Sequence, residues 1–402
     1  MAQSATAGTG LSFPDGFLWG TATAAHQIEG GNVNNDWWKW EHTEGSGCAD
    51  SSGDACDSMH RWSEDIDLVV QMGLGAYRFS LEWSRIEPAE GEFSTVALDH
   101  YRRICAGCIE RGIAPVVTFH HFTTPLWLTA RGGWEAQDAP EAFARFVTRA
   151  TAHLGDLISW ACTINEPNVI GVMGYTIGTF PPGVKDDFYR HLAVNETMVR
   201  SHRLAVEALR SGPGNFPVGL TLSMAELVAD EGGEALRDAA EDVLENTFLR
   251  GTEGDDFVGV QCYTRMHFNA EGQAPDDPAI AQTQMGYEFW PQVVEYTVRR
   301  TAAFTGLPVV VTENGIGTDN DGDRIAYVTE ALRGVRRCLD DGLDVRGYFV
   351  WSLMDNFEWA HGYGPKFGLH AVDRTTFERR PKPSAKWFGE VARANALVAA
   401  SH

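Results

Sequence analysis

Short apolar runs recur along the chain, and longer stretches with a helical spacing of apolar residues separate most of them. Runs of about four to eight apolar, β-branched residues are typical of strands that are buried on both faces. Ala139–Leu154 and Asp323–Asp340 show the spacing of amphipathic helices. Strands that alternate with such helices predict a parallel sheet. The eight candidate strands are Phe17–Thr21, Ala76–Ser80, Pro115–His120, Ser159–Ile164, Val218–Ser223, Phe257–Cys262, Val309–Thr312 and Gly347–Trp351.

Eight strand–helix units in a chain of 402 residues fit an α/β fold of the closed (β/α)8 type, the TIM barrel. A dinucleotide-binding fold is disfavoured because no G-x-G-x-x-G follows the first strand. Linkers, low-complexity tracts and sequence repeats are also missing from the sequence. We therefore expect residues 1–402 to form a single domain, with residues 1–11 as a flexible N-terminal segment.

Charge and hydropathy narrow the range of partners. The net charge of −23 would repel nucleic acids and anionic membranes. The first ten residues lack the basic and apolar regions of a secretory signal. No apolar run approaches the roughly 18 residues that a membrane span needs. These features predict a soluble cytoplasmic protein with neither a nucleic acid nor a membrane as partner, and they leave the oligomeric state open.

Seven cysteines are present, and two of them form a C-x-x-C. Cys105 and Cys108 fall within a helical pattern, and no second pair or His-x-His companion stands at the spacing of a zinc site. Cys48 and Cys56 flank a glycine-rich loop and are expected to be free thiols in a reducing compartment. We expect no metal and no cofactor.

Polar and aromatic residues stand at the ends of the predicted strands. In a (β/α)8 barrel these ends meet at one mouth, where catalytic residues are found. Any one of these residues could be a hydrogen-bonded polar group at a strand end, but together they converge on one rim. The residues are Gln27, Arg78, His121, Asn165, Glu166, Tyr263, Glu313, Asn314 and Trp351.

Two of these rim residues are glutamates on opposite walls. Glu166 follows the fourth predicted strand, and Glu313 follows the seventh. Enzymes that break glycosidic bonds usually carry a pair of carboxyl groups that face each other across the site. We expect the two carboxyl groups to lie on the order of 5 Å apart, the separation that retains the configuration of the sugar.

Charge separates the expected roles of the two glutamates. Arg78 should favour the ionised form of Glu313, and Tyr263 could donate a hydrogen bond to it. Glu166 then faces a negative charge, which raises its pKa and keeps its proton. Once Glu313 forms a glycosyl ester, that charge is lost and Glu166 can act as a base for water.

A sugar offers apolar faces and polar edges. Trp351, Trp359 and Phe367 provide flat surfaces for the faces. The side chains that could hydrogen-bond the edges are Gln27, His121, Asn165 and Glu358. The combination predicts a carbohydrate site around the two glutamates.

Five segments between about Phe13 and Phe388 resemble, in order, the motifs of glycoside hydrolase family 1, the β-glucosidases and their relatives. A lone Asn-Glu-Pro would be weak, but the ordered set is specific. The segments are FLWGTATAAHQIEGG (Phe17–Gly31), YRFSLEWSRIEP (Tyr77–Pro88), TINEP (Thr163–Pro167), VTENG (Val311–Gly315) and WSLMDNFEWAHGYGPKFGLHAVD (Trp351–Asp373).

The resemblance implies a retaining β-glycosidase with Glu313 as nucleophile and Glu166 as acid/base. It also implies that Trp351 lies beneath the glycone and that Tyr287 stands on the aglycone side, where the family has a tryptophan. The implied glycone-binding residues are Gln27, His121, Asn165, Glu358 and Trp359.

Besides Tyr287, the chain departs from the family pattern at two places. Gln261-Cys262-Tyr263 stands where the family has Asn-Tyr-Tyr, and His121-Phe122-Thr123 stands where it has His-Trp-Asp. A glucoside is the expected substrate, while galactosides and fucosides stay open. Three alternatives remain: a transglycosidase with the same intermediate, a 6-phospho-β-glycosidase, and a catalytically silent sugar-binding relative.

Overall fold

A computed structural model describes residues 11–397 of the chain. Within them, eight parallel strands form a sheet that closes on itself. The strands are β1 Leu18–Ala22, β2 Ala76–Ser80, β3 Ala114–His120, β4 Trp160–Asn165, β5 Val218–Ala229, β6 Phe257–Asn269, β7 Val309–Asn314 and β8 Val345–Trp351. Each strand pairs with the next along the chain, and β8 pairs with β1 to complete the barrel. The prediction of an α/β (β/α)8 barrel is therefore confirmed.

A helix or helical segment follows each strand and packs outside the barrel. In the described residues these are α1 Ser58–Met72, α2 Thr95–Glu110, α3 Ala139–Leu154, α4 Phe188–Ser211, α5 Glu234–Glu241, α6 Val293–Thr305, α7 Asp321–Asp340 and α8 Pro383–Ala394. A π-helical turn, Asp242–Asn246, joins α5 to a further helix, Thr247–Gly251. Short helices in the loops are Ala25–Ile28, Asp36–Glu41, Trp83–Ile86, Leu126–Thr129, Gly133–Glu135, Gly155–Leu157, Pro167–Gly171, Val172–Ile177 and Trp359–His361.

Helix α3 shows how the apolar spacing places a helix on the barrel. Phe143, Phe146, Val147, Ala150 and Leu154 fall on one face and are buried in the core. Burying such side chains is worth about 1.5–3 kcal/mol for each large one. The helix has the bounds that the apolar pattern predicts, because that face is continuous over all four turns.

Two strands run well past their predicted ends. Strand β5 continues from Ser223 to Ala229, and β6 continues from Cys262 to Asn269. After a bulge, the two extensions pair with each other and stand beyond the mouth, and Gly272–Ala274 adds a short antiparallel strand to β6. Both extensions are half-exposed, and polar residues such as Glu226 and Arg265 interrupt their apolar residues, so no continuous apolar run marks their full length.

The two ends of the described chain meet on the outside of the barrel. Leu11–Ser12 pairs with Ala396–Leu397 in a small antiparallel sheet. The predicted flexible segment, residues 1–11, lies outside the described residues except for Leu11, which pairs with Leu397 in this small sheet. None of the helices in residues 11–397 is long and apolar enough to cross a membrane.

Candidate active site

The ends of the eight strands form one mouth, and both glutamates lie there. Glu166 directly follows β4, and Glu313 is the fifth residue of β7. Both side chains are largely buried, with 8% and 4% of the residue surface exposed. The described residues contain no group of three or more His, Cys, Asp or Glu side chains arranged to hold a metal ion.

Glu313 is held by two hydrogen-bond donors on opposite sides. Arg78 donates from Nη1 to Oε1 at 2.5 Å, and the Tyr263 hydroxyl donates to Oε2 at 2.6 Å. Burial raises the pKa of Glu313, whereas Arg78 and Tyr263 act to lower it by favouring the carboxylate. Burial also raises the pKa of Tyr263 well above its usual range, so the phenol keeps its proton and can donate.

The amide of Asn165 connects this pair to the neighbouring strands. Its Oδ1 accepts from Arg78 Nη2 at 2.6 Å and from Gln261 Nε2 at 2.9 Å. Because arginine can only donate, the Asn165 oxygen must face Arg78, and the NH2 group then faces His121 Nε2 at 3.2 Å. A bulge between β6 and β7 skips Thr312 and sets Gln261 opposite Glu313. The Gln261 amide therefore contributes to lowering the pKa of Glu313.

Glu166 has a different environment from Glu313. Burial is the main cause that raises its pKa well above the usual range, and the negative charge of Glu313 raises it further. Arg78 and the Ser223 hydroxyl oppose this rise. Among residues 11–397, no basic side chain forms an ion pair with Glu166. Its backbone is left-handed (φ 43°) and leads into the helix Pro167–Gly171, which sets its direction at the strand end.

Aromatic rings form one wall beside the carboxyl groups. The His121 ring lies between two tryptophans, with its centroid 6.0 Å from Trp351 and 6.1 Å from Trp359 in near-parallel geometry. Trp359 stacks in turn on His26 at 5.6 Å. Burial and the nearby charge of Arg78 lower the pKa of His121 well below its usual range, so its ring is neutral.

Two buried polar atoms on this wall have no hydrogen-bond partner within the described part of the chain, namely Gln27 Oε1 and His121 Nδ1. Gln27 is fixed by its other end, because Nε2 donates to the Phe357 carbonyl at 2.7 Å and to Asn356 Oδ1 at 3.2 Å. Buried polar atoms are nearly always paired in native proteins. An unpaired acceptor held in this way is suited to a ligand hydroxyl.

Glu358 and Phe367 are both neighbours of Trp351. Burial raises the pKa of Glu358 to about 8, and the Trp351 indole N–H opposes that rise. The Glu358 carboxyl can therefore carry a proton near neutral pH, which the sequence argument did not anticipate. Phe367 is buried and meets Tyr263 edge to face at 6.0 Å.

Tyr287 lies at the outer rim and keeps 37% of its surface exposed. Burial of its hydroxyl end, together with the charges of Glu358 and Glu166, raises the pKa of Tyr287 to about 12. Those two carboxyl groups are therefore its electrostatic neighbours. The structure brings Tyr287 to the outside of the same mouth as the other site residues.

Phe122 and Thr123, which stand where the family has Trp-Asp, change the packing around them. Phe122 has a left-handed backbone (φ 68°), and its ring packs on Trp359 and Phe180 with no polar group to offer. Thr123 donates its hydroxyl to buried Glu82 at 2.9 Å. Residues 122 and 123 thus support the wall rather than present a donor to a ligand.

Some residues of the site were not found from the sequence. Asn356 and the Phe357 carbonyl orient Gln27, and Ser223 lies beside Glu166. The Tyr348 hydroxyl donates to Asn314 Oδ1 at 2.5 Å, which steadies the residue after Glu313. Ser223 and Tyr348 could have been found from strand alternation, whereas Asn356 lies in a loop that no periodicity marks.

A (β/α)8 barrel that carries two buried carboxyl groups of unequal acidity beside an aromatic wall defines a class of protein, the glycoside hydrolases with a carboxylate pair. The model of glycosyl hydrolase family 1 matches residues 10–252 and 255–397. The chain belongs to this family, whose members are retaining glycosidases.

Named relatives agree with this assignment. The chain is 32% identical to β-glucosidase A of Thermotoga maritima, over 96% of this chain and 98% of that protein. Among solved structures, β-glycosidase BGL167 is 45% identical, with a TM-score of 0.90 over 97% of this chain and 99% of the other. The T. maritima β-glucosidase in complex with glucoimidazole is 28% identical, with a TM-score of 0.90 over 96% and 100%.

Proposed function

We propose that the protein is a β-glucosidase that hydrolyses O-linked β-glucosides by double displacement on a single catalytic domain. Glu313 is the nucleophile and Glu166 the acid/base. The observation that carries the proposal is that the two carboxyl groups have different hydrogen-bond donors and neighbouring charges. Arg78 and Tyr263 both donate to Glu313, whereas Glu166 is buried without an ion pair in the described residues and faces the charge of Glu313.

In the first step, a carboxylate oxygen of Glu313 attacks the anomeric carbon and forms a glycosyl ester. The bond to the leaving-group oxygen breaks, and that oxygen takes the proton of Glu166. Arg78 and Tyr263 stabilise Glu313 before the attack and are left facing a neutral ester after it. The raised pKa of Glu166 keeps its proton available at neutral pH.

In the second step, the same glutamate changes role. Formation of the ester removes the negative charge of Glu313, and with it one of the causes that raise the pKa of Glu166. Glu166, now ionised, takes a proton from water as the water oxygen attacks the anomeric carbon. The ester bond breaks, Glu313 recovers its charge, and the sugar leaves with its original β configuration.

The glycone rests on the aromatic wall. Trp351 offers its face to the sugar ring, and Trp359 and Phe367 bound the space around it. Gln27 Oε1 accepts from a sugar hydroxyl, and His121 Nδ1, which has no partner in residues 11–397, donates to another. Asn165 Nδ2 and the Glu358 carboxyl complete the polar contacts.

The unphosphorylated sugar is favoured by Lys366, the basic residue closest in sequence to the glycone wall. Its ammonium donates one of its three N–H groups to the Tyr363 carbonyl at 2.6 Å, which holds it against its own loop. Glu358 adds little repulsion of a phosphate, because its pKa of about 8 leaves it largely protonated at pH 7. Relatives named β-glucosidase support glucose as the glycone.

A panel of aryl β-glycosides tests the substrate. We expect the glucoside to be turned over with the highest kcat/KM, and the glucoside 6-phosphate to be turned over least. The measurement is release of nitrophenol from the glucoside, galactoside, fucoside and glucoside 6-phosphate. Preference for the phosphorylated sugar, or silence on every sugar, would contradict the proposal.

Removal of one hydrogen bond tests the electrostatic support of Glu313. In Tyr263→Phe the carboxylate loses a donor, so the pKa of Glu313 rises and the nucleophile ionises only at higher pH. The acidic limb of the kcat/KM profile should therefore move upward by about one to two pH units, the worth of one charge-assisted hydrogen bond. Tyr296→Phe, on α6, is the matched control and should leave the limb in place. A limb that does not move in Tyr263→Phe would show that Tyr263 does not support the charge.

A further inference from the structure

A tight turn at residues 283–287 stands at the rim of the mouth, between the extension of β6 and helix α6. Thr283 donates from its backbone N–H to the Tyr287 carbonyl at 2.7 Å, and Gly286 donates to Thr283 at 3.0 Å. Met285 packs against the cluster that contains Trp351 and Phe367. Tyr287 has Glu358 and Glu166 as its charged neighbours. The turn thus presents two large side chains to the outer part of the site.

The side chain of Gln284 ties this turn to two other loops. Its Nε2 donates to Asp319 Oδ2 at 2.8 Å, in the loop after β7. Its Oε1 accepts from the Lys366 backbone N–H at 2.8 Å, in the loop after β8. The Gln284 backbone N–H also donates to the Gly317 carbonyl at 3.0 Å. One residue therefore joins the loops that follow three successive strands.

Close packing beneath Gln284 strengthens this bridge. A Cβ atom at Gly317 would lie 3.3 Å from the Phe367 ring and 3.4 Å from Gln284 Cβ. The absence of a side chain at Gly317 lets Gln284 and Phe367 approach one another. Met285, which packs beside Phe367, and Tyr287, which has Glu166 among its charged neighbours, then form a mostly apolar wall on the outer part of the site.

We propose that Gln284 is a positioning residue for the leaving-group side of the site, and that the wall it holds favours flat, apolar aglycones over sugars. The inference rests on the proposed function and deepens it. A sugar leaving group needs several hydrogen-bond partners, whereas an aryl group gains from contact with aromatic and thioether surfaces. Gln284 acts by holding Met285 and Tyr287 in place and does not contact the substrate.

The test compares two glucosides in the full-length protein. p-Nitrophenyl β-glucoside reaches the wall, and methyl β-glucoside does not. In Gln284→Ala the ratio of their kcat/KM values, aryl over methyl, should fall by roughly three- to tenfold, since two hydrogen bonds are lost. Gln282→Ala changes the same residue type two positions away, where the side chain makes no hydrogen bond within the described residues. This control should keep the wild-type ratio.

A second variant separates positioning from simple loss of a side chain. Gln284→Glu keeps an acceptor for Lys366 but sets a carboxylate against Asp319, so the ratio should fall here too. An unchanged ratio in both variants, or an equal loss on both glucosides, would overturn the proposal. Wild-type protein that turns over neither glucoside would instead overturn the proposed function, so the two failures are distinguishable. Continued turnover of methyl β-glucoside shows that each variant is folded.

Discussion

Glu313→Gln is expected to lower kcat for aryl β-glucosides by on the order of 10⁶, the loss seen when an enzyme loses its covalent nucleophile. The amide keeps the size of the carboxyl group, and its oxygen can still accept from Arg78, while its NH2 group replaces the oxygen that faces Tyr263. It cannot form the glycosyl ester, because it carries no charge and is a poor nucleophile. Nitrophenol release under saturating substrate measures the loss, and circular dichroism shows whether the fold is kept.

The same variant has a second expected result. Without the negative charge of Glu313, one cause that raises the pKa of Glu166 is gone, so the pKa of Glu166 should fall. Titration of the carboxyl groups by ¹³C NMR would follow this change. In the wild type, an aryl glucoside with fluorine at C2 should trap the ester, and mass spectrometry should place the sugar on the peptide that contains Glu313. A label on any other residue would contradict the assigned nucleophile.

The barrel could be predicted because each of its strands is buried on both faces and is therefore mostly apolar. The same physics explains where the prediction stopped. Beyond Ser223 and Cys262 the strands β5 and β6 leave the barrel, and residues such as Glu226 and Arg265 face partly to solvent. A half-exposed pair of strands has no continuous apolar signal.

The two glutamates could be located from the sequence because strand ends in a barrel share one mouth. Their electrostatics could be predicted only in outline. The contact of Arg78 with Glu313 requires a residue on β2 to reach across the barrel to β7, which strand order alone permits but does not require. The raised pKa of Glu358 depends on the depth of its burial, and no sequence pattern records that depth.

Loop-borne contacts are the part of the site that sequence reasoning could not reach. Asn356 orients Gln27, and Gln284 bridges two loops, yet neither lies on a helix or a strand. Their partners are set by where the loops fold back after leaving the barrel. No periodicity in the sequence marks such residues, whereas the residues at the strand ends follow from the barrel itself.

Glu166→Ala should have an effect that depends on the leaving group. With methyl β-glucoside the leaving oxygen needs a proton, so kcat/KM should fall by about 10²–10⁴, the usual contribution of a general acid. With 2,4-dinitrophenyl β-glucoside the leaving group departs without a proton, so kcat/KM should change little. For that substrate the second step becomes slow, because no base activates water, and the ester on Glu313 should accumulate. The measurement is kcat/KM for both substrates across pH.

The pH profile and an added anion make this prediction specific. Glu166 must be protonated in the first step, so its raised pKa sets the basic limb of the wild-type profile. With 2,4-dinitrophenyl β-glucoside the basic limb should vanish in Glu166→Ala, while the acidic limb set by Glu313 stays. Azide needs no base, so it should restore turnover and yield β-glucosyl azide, since it attacks the ester from the face that Glu166 occupied. An α-azide, or equal losses on both glucosides, would show that Glu166 is not the acid/base.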